Sequence, residues 1–319
     1  MKFTLVIPVA PERGAEIIES IKELDYPKSE FHVVVVRGLN PSDNRNKGAS
    51  RALGEYIVFL DDDAKIEKDY LLKIEDFFNR HPEVDVVGGP QLTPEDDRGF
   101  AKVSGYALSS FFGAWTLMSR YSATKEMIDV DETVITSANL ICRKEVLEEV
   151  KFDSNLFPGE DPKFISDVKK AGFIVGYNPQ IRIFHRRRAD IKSLIKQIYY
   201  YGKVRPEKEN FIETLSRPFF LVPSLFVIYL FLLILSVFIN PVLTGGVIGV
   251  VGEDVGGYLR FFWVFPILLY IILILLFGLY DSSKNGNVKA FLVLPSIYPL
   301  IHISYGVGMI YGYFKKVFK

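Results

Sequence analysis

Glu55-Tyr56-Ile57-Val58-Phe59-Leu60-Asp61-Asp62-Asp63 is the stretch that decides the fold. Its apolar run predicts a short buried strand, and the strand ends abruptly in three consecutive carboxylates. Open α/β sheets bind their ligands at such strand ends. Neighbouring carboxylates repel one another, so holding three of them together requires a counter-charge. A divalent cation carrying a diphosphate would supply it, and a solvated acidic turn is the alternative.

The first 190 residues alternate between strand and helix patterns. Continuous apolar runs at Phe3–Val9 and Phe31–Val36 predict two strands, and residues 14–24 between them have helical spacing. Strand, helix and strand in this order predict a parallel pair. The alternation then continues, with helices predicted over 44–53, 69–80, 143–150 and 161–171 and strands over 56–60, 84–87, 133–142 and within 173–184. The predicted fold class is therefore α/β with a mostly parallel sheet.

Charge is concentrated in the first two thirds of the chain. The 38 basic and 38 acidic residues balance, which gives no reason to expect a nucleic-acid partner. Residues 217–319 contain only 7 Lys and Arg and 3 Asp and Glu. Cys142 is the single cysteine, so an intrachain disulfide is excluded. The first residues do not resemble a signal peptide, and we expect the charged part in the cytoplasm.

Three apolar segments follow the charged part, at about 218–239, 259–280 and 290–314. Each is long enough to cross a bilayer, which takes about 20 residues. The first two are predicted to be transmembrane helices, and the third is either a kinked span or a re-entrant segment. Basic residues before the first segment predict a multi-pass protein of the cell membrane with its charged part on the cytoplasmic side. Three full spans would place Lys315 and Lys316 on the other side, against that rule.

The segment between the charged part and the first apolar segment has its own pattern. Ile191, Leu194, Ile195, Ile198 and Tyr199 recur at helical spacing. This pattern predicts either an amphipathic helix in the membrane interface or a helix packed at a domain junction. The predicted domains are a catalytic domain over 1–188, an interfacial helix and linker over 189–216, and a membrane domain over 217–319.

Six short motifs occur in an order that resembles the family 2 glycosyltransferases. The resemblance covers about residues 3–205, and the family members with the most similar layout are membrane-bound, non-processive transferases of the exopolysaccharide type. The matching motifs are Pro8-Val9-Ala10-Pro11-Glu12, Arg45-Asn46-Lys47-Gly48, the Gly54–Asp63 block, Ser137-Ala138-Asn139-Leu140, Gly159-Glu160-Asp161 and Ile183-Phe184-His185.

The resemblance implies a GT-A fold, a nucleotide-sugar donor and inversion at the anomeric carbon. By the family pattern, Asp63 binds Mg²⁺ or Mn²⁺, Asp61 lies near the metal or the ribose, and His185 completes the coordination. Carboxylate oxygens are suitable ligands for either ion. Asp62 is expected to contribute charge rather than a bond. The other residues predicted at the donor site are Pro8, Val9, Glu12, Arg37 and Arg45.

Asp161 is the predicted general base, which would take the proton from an acceptor hydroxyl. Its neighbour Glu160 is expected to raise its proton affinity by repulsion. The alternative interpretation is structural, because Asp161-Pro162 ahead of a helical pattern is also typical of an N-cap followed by a first-turn proline.

Two departures from the family pattern affect the substrate prediction. Arg37 stands where the family usually has an acid after the second strand, so the sequence does not distinguish a UDP from a GDP donor. Gln197-Ile198-Tyr199-Tyr200-Tyr201 lacks the Arg-Trp of the processive relatives, which favours transfer of a single sugar. The leading hypothesis is transfer to a hydroxyl of a lipid-linked or membrane-proximal acceptor. The rivals are a polyprenyl-phosphate sugar synthase, a processive polysaccharide synthase and a non-catalytic membrane scaffold.

Overall fold

The computed structural model describes residues 1–209, 211–239 and 253–318. The chain divides into two compact units, Met1–Ala189 and Asp190–Lys319. Residues 240–252, between the first two apolar segments, lie outside the described part.

Unit 1 is built on a seven-stranded sheet with the strand order β2-β1-β3-β8-β5-β9-β7. Neighbouring strands β2, β1 and β3 are parallel, as are β5 and β9, whereas β8 and β7 run in the opposite direction. Five strands thus share one direction, in agreement with the α/β prediction. The strands are β1 (Phe3–Val9), β2 (Phe31–Arg37), β3 (Tyr56–Leu60), β5 (Val86–Gly88), β7 (Met127–Ile128), β8 (Asn139–Arg143) and β9 (Val175–Tyr177).

Helices cover both faces of this sheet. Alternate residues of β1 enter different hydrophobic cores, Leu5 and Ile7 on one face and Val6 on the other. The first core contains side chains of α1 (Ile17–Lys22) and α3 (Tyr70–Arg80), and the second contains side chains of α6 (Lys144–Glu149) and α7 (Glu160–Lys170). The remaining helices of unit 1 are α2 (Pro41–Ser50), α4 (Gly99–Leu108), α5 (Phe111–Ala114) and a 3₁₀ helix over Trp115–Arg120.

A small second sheet has the order β4-β10-β6. Its strands are β4 (Ala64–Ile66), β6 (Gln91–Leu92) and β10 (Ile183–His185). Because β4 follows the three aspartates directly and pairs with β10, this sheet brings the end of unit 1 back to the end of β3.

Unit 2 is helical. Two of its segments, Pro218–Ser236 and Trp263–Lys284, are long and apolar enough to cross a membrane. The elements are α8 (Ile191–Lys208), α9 (Phe211–Leu215), α10 (Val222–Ile239), α11 (Glu253–Lys284) and α12 (Leu294–Val317), with short 3₁₀ helices over Pro218–Phe220 and Val288–Leu292.

The amphipathic stripe predicted within 189–216 lies on α8. Leu194 and Ile198 from this stripe are buried inside unit 2, so these two side chains contact protein. Ile191 is exposed, and its contact with lipid stays a prediction.

Candidate active site

The end of β3 places three carboxylates in one turn. β3 is fully buried over Ile57–Leu60, and the chain turns immediately afterwards, where the Ala64 amide donates to the Asp61 carbonyl at 3.2 Å. The turn gives the three side chains different surroundings. Asp61 and Asp63 are about one third exposed, whereas Asp62 is buried.

His185 is held beside Asp61 and Asp63 by the second sheet. In the register of β10 and β4, His185 lies opposite Ala64, the residue after Asp63. Its Nε2 atom is 2.9 Å from Asp63 Oδ1 and 3.9 Å from Asp61 Oδ2. Asp61, Asp63 and His185 can each direct one ligand atom to a common position, since these atoms all lie within 4.8 Å of one another.

The hydrogen bonds of His185 suit a metal ligand. Its Nδ1 donates to the Arg186 carbonyl at 3.1 Å, which fixes the ring and leaves Nε2 as the atom facing the carboxylates. Burial alone would lower the pKa of His185, but Asp63 and Asp61 outweigh burial and raise it above its ordinary value. Partial burial would raise the pKa of Asp63, but His185 and Arg13 hold it well below its ordinary range. Two carboxylates and one imidazole therefore form a charged set that fits a divalent cation.

Arg13 provides a counter-charge that the sequence analysis missed. It lies in the loop after β1, and its guanidinium pairs with Asp62 at 3.2 Å and with Asp63 at 2.6 Å. No periodicity or motif marks Arg13 in the sequence. The available signal was its position, since the loop after β1 and the end of β3 belong to the same edge of a parallel pair.

Arg45 is the buried centre of a second group of carboxylates. Helix α2 carries it, and Asn40 caps that helix by accepting from the amides of Ser42 and Asp43. The guanidinium is 3.0 Å from Glu160, 3.4 Å from Asp61 and 3.8 Å from Asp161. Its Nε is buried and, within the described residues, has no hydrogen-bond partner. Arg45 thus links the strand end to the helix that carries the predicted base.

Asp161 lies in the first turn of α7. This helix begins at Glu160 with Gly159 as its N-cap, so the interpretation of Asp161 as an N-cap was wrong. Gly159 has a φ of 120°, a backbone conformation that favours glycine and starts the helix one residue earlier than predicted. Ser137 donates a hydrogen bond to Asp161, and Asp161 remains about one quarter exposed.

Glu160 points into the protein rather than towards solvent. It is buried, accepts from the Gly159 amide at 2.9 Å and pairs with Arg45. Burial, followed by the charge of Asp161, raises the pKa of Glu160 above its ordinary value, although Arg45 opposes this. The two adjacent acids therefore differ in environment, with Glu160 serving as the buried partner of Arg45.

Comparison with known proteins identifies the family. A family model described as "Glycosyl transferase family group 2" matches residues 56–280, which include the aspartates, Asp161 and His185. The chain belongs to this family. It is a glycosyltransferase, as the motifs predicted.

A curated relative of this glycosyltransferase is the minor teichoic acid biosynthesis protein GgaB of Bacillus subtilis (strain 168). The two are 27% identical over 205 residues, which represent 61% of this chain and 20% of GgaB. The chain thus spans about a fifth of the length of that relative.

One solved structure supports a GT-A-like fold for this glycosyltransferase. The mannosyltransferase PcManGT from Pyrobaculum calidifontis, in complex with GDP-Man and Mn²⁺, has a TM-score of 0.52 at 14% identity and covers 99% of this chain and 88% of its own. Residues 1–349 of S. aureus TarS give a TM-score of 0.46 at 16% identity, covering 99% of this chain and 92% of that one.

The other residues predicted at the donor site of this glycosyltransferase lie around the loop after β1. Val9 is buried in the core, so only its backbone could face a ligand, and its carbonyl accepts from the Gly38 amide. Arg37 is exposed and donates to the carbonyl of Arg13 at 2.8 Å. Pro8 is half-buried and Glu12 is exposed. Contact of these four residues with a donor stays a prediction.

Proposed function

We propose that the chain transfers a single sugar, with inversion, from a nucleotide-sugar donor to a hydroxyl of a lipid-linked or membrane-proximal acceptor. The observation that carries this proposal is one juxtaposition. Asp61, Asp63 and His185 lie together, and Arg45 links Asp61 directly to Asp161. A donor held by the first group would have its anomeric carbon near a carboxylate of the second group.

The residues present fit a divalent metal. Asp63, Asp61 and His185 would hold Mg²⁺ or Mn²⁺, and the imidazole favours Mn²⁺ because transition ions accept nitrogen ligands more readily. When bound, the ion would neutralise the diphosphate that leaves. Arg13 adds positive charge at the same edge, next to Asp62 and Asp63. That PcManGT was solved with GDP-Man and Mn²⁺ supports a nucleotide-sugar donor and a metal in this proposal.

Asp161 would accept the proton of the attacking hydroxyl. A base must lie within hydrogen-bond reach of that proton and be ionised beforehand. The Ser137 hydroxyl holds one oxygen of Asp161, and Arg45 stabilises the negative charge on the same oxygen. Because the side chain is about one quarter exposed, we expect the acceptor hydroxyl to reach its other oxygen. Inversion follows because the hydroxyl attacks the face opposite the leaving diphosphate.

Unit 2 would hold this reaction at the membrane. Its two candidate spans expose large apolar side chains along their length, including Phe231, Leu268, Ile272 and Leu276. A soluble helix would bury such residues, so lipid is their expected environment. We therefore propose a multi-pass protein of the cell membrane with its catalytic unit, residues 1–188, on the cytoplasmic side.

The test is a transfer assay on the full chain in detergent. UDP- and GDP-sugars would be offered with Mn²⁺ or Mg²⁺ and a membrane-lipid extract, and release of the nucleoside diphosphate would be measured together with the labelled lipid product. Asp161→Asn should abolish product formation and leave donor binding nearly unchanged. Asp167→Asn on the same helix, where Asp167 pairs with Lys163, is the matched control.

Three outcomes would refute parts of the proposal. Full activity of Asp161→Asn would favour an acceptor that needs no base, such as a polyprenyl phosphate. A ladder of long products would indicate a processive enzyme. Activity that persists unchanged in EDTA would exclude the metal.

A further inference from the structure

Helix α12 corresponds to the third apolar segment, whose path relative to the membrane the sequence left open. It is 24 residues long, so it spans about 36 Å and could cross a bilayer. Among the described residues, however, it is less apolar than Pro218–Ser236 and Trp263–Lys284 and is not one of the two candidate spans. Its contacts with the rest of unit 2 show where its two ends lie.

The two candidate spans form an antiparallel pair. Phe226 of α10 lies against Tyr270 of α11, with ring centroids 4.3 Å apart. Further along α10, Tyr229 donates to the carbonyl of Trp263, which lies earlier in α11. The start of α10 and the end of α11 are therefore at the same end of the pair, which we call the entry end.

Both ends of α12 contact the entry end. Near its start, Tyr298 donates to Asp281 at 2.6 Å, and Asp281 lies in the last turn of α11. Near its other end, Tyr313 donates to Thr214 at 2.8 Å, and Thr214 precedes α10. A helix that crossed the membrane would have one end beside the far ends of α10 and α11. Instead, α12 returns to residues that precede the first span.

Close packing against α8 fixes α12 along its length. A Cβ added to Gly202 of α8 would lie 2.1 Å from the Tyr305 carbonyl, and one added to Gly308 of α12 would lie 2.1 Å from the Tyr199 carbonyl. One added to Gly312 would lie 2.3 Å from the Lys203 carbonyl, and Lys316 donates to the Pro206 carbonyl. From Tyr199 with Gly308 to Pro206 with Lys316, the contacts therefore advance in the same direction along both helices. Helix α8 is unsuited to the bilayer interior because it carries six charged residues within 18.

The pair also has a surface suited to the membrane boundary. Ile303, Val307, Ile310 and Phe314 of α12 are exposed and recur at spacings of three and four, which makes one apolar stripe. On α8, Lys192 and Lys196 are exposed. Exposed apolar residues combined with exposed lysines are the composition of helices that lie in the interface, with the lysines reaching lipid phosphates.

We propose that α8 and α12 form a parallel helix pair that lies in the membrane interface, so that the chain crosses the bilayer twice and its C-terminus is on the same side as residue 190. The partner of this surface is the headgroup layer of the bilayer. The arrangement resolves the conflict in charge distribution, because Lys315 and Lys316 then share the side of the basic α8. The inference rests on the membrane-spanning part of the proposed function and is independent of the transfer reaction.

Thiol labelling in oriented membranes tests the number of crossings. The only native cysteine, Cys142, is buried and can be kept. Single substitutions Lys192→Cys, Thr244→Cys and Val317→Cys would be treated with a membrane-impermeant maleimide in intact cells and in inverted vesicles. We expect Lys192→Cys and Val317→Cys to react in the same preparation and Thr244→Cys in the other. Reaction of Val317→Cys together with Thr244→Cys would overturn the inference. Reaction of all three in one preparation would overturn the two spans themselves, and with them the proposed membrane placement.

A depth measurement tests the position of α12 independently. Spin labels at Ile303, Ile310 and Val317 would be compared for accessibility to oxygen and to a polar nickel chelate in liposomes. A flat helix gives similar shallow depths at all three exposed positions. A spanning helix would separate the outer two by about 21 Å, and a depth difference of that size would overturn the proposal.

Discussion

Replacing Arg45 by methionine should destabilise the protein strongly. Methionine replaces the aliphatic part of the arginine side chain but not its charge. Glu160, Asp61 and Asp161 then lie around a position that has lost its guanidinium group. Arg45 is only 5% exposed, so solvent cannot compensate for the lost charge. Removing one partner of a buried ion pair costs about 3–5 kcal/mol of unfolding free energy. For a unit of this size, about 2–4 °C of Tm accompanies each kcal/mol, so the expected decrease is roughly 6–20 °C.

Thermal denaturation of the full chain in detergent, without metal and at neutral pH, would measure this effect. Arg80→Met is the matched control, because Arg80 also pairs with two carboxylates, Asp76 and Glu126, but at the surface. Exposed pairs contribute about 0–1 kcal/mol. A Tm decrease for Arg45→Met no larger than that for Arg80→Met would refute the argument that Arg45 is a necessary buried counter-charge.

A double substitution separates charge from packing. Glu160→Gln removes the nearest buried carboxylate. The double variant Arg45→Met, Glu160→Gln should therefore lose less unfolding free energy than the two single variants lose in total. If the two losses simply add, the contribution of Arg45 comes from packing, for example against Phe152, where its guanidinium lies 5.4 Å from the ring centroid.

Three further predictions concern neighbouring groups. His185→Gln should weaken Mn²⁺ binding by roughly tenfold or more in calorimetric titration, and unchanged affinity would exclude this ligand. In metal-free protein, burial alone would lower the pKa of His185, but Asp63 and Asp61 raise it above its ordinary 6.5. The pairing of His185 with Asp63 therefore stabilises the fold fully below pH 6.5. This stabilisation is lost as the pH rises through the raised pKa. The unfolding free energy should therefore fall as the pH rises above 6.5 and through the raised pKa, and a parallel fall in His185→Gln would contradict this origin. Asn40→Ala removes the N-cap of α2 and should lower the unfolding free energy by about 1 kcal/mol, which a decrease in Tm would show. An unchanged Tm would show that this cap does not stabilise the helix that carries Arg45.

The regular elements could be predicted where local signals were sufficient. β3 occupies Tyr56–Leu60 as predicted, because a continuous apolar run in an α/β sheet is buried on both faces. Helix α2 was predicted from residue 44 but begins at Pro41, since Asn40 caps it and proline fits its first position. The strand predicted from residue 133 begins only at Asn139, because pairing with β3 stops at Leu60.

The candidate site was predictable only in part. The motif order brought Asp61, Asp63 and His185 into one hypothesis, and the structure places them together. Arg13 was missed because an isolated arginine in a loop has no periodic pattern, and its pairing with the aspartates depends on the sheet register. The pairing of Glu160 with Arg45 was also missed, because no local pattern connects α2 with the start of α7, 115 residues further along the chain.

The cations that the chain supplies do not balance the carboxylates at this edge of the sheet. Five carboxylates face two guanidinium groups. With all five carboxylates ionised and His185 neutral, the excess is three negative charges. The carboxylates belong to Asp61, Asp62, Asp63, Glu160 and Asp161, and the guanidinium groups to Arg13 and Arg45. Burial, followed by interactions with neighbouring carboxylates, raises the pKa of Asp62 and Glu160, although the nearby arginines oppose this. Protonation of His185 removes part of this excess in the metal-free protein. Because the same Nε2 atom would bind a metal, a divalent ion would displace this proton and provide more positive charge than the proton did. Metal binding should therefore release a proton and strengthen as pH rises, which links the electrostatics of the metal-free protein to the donor that the site is proposed to bind.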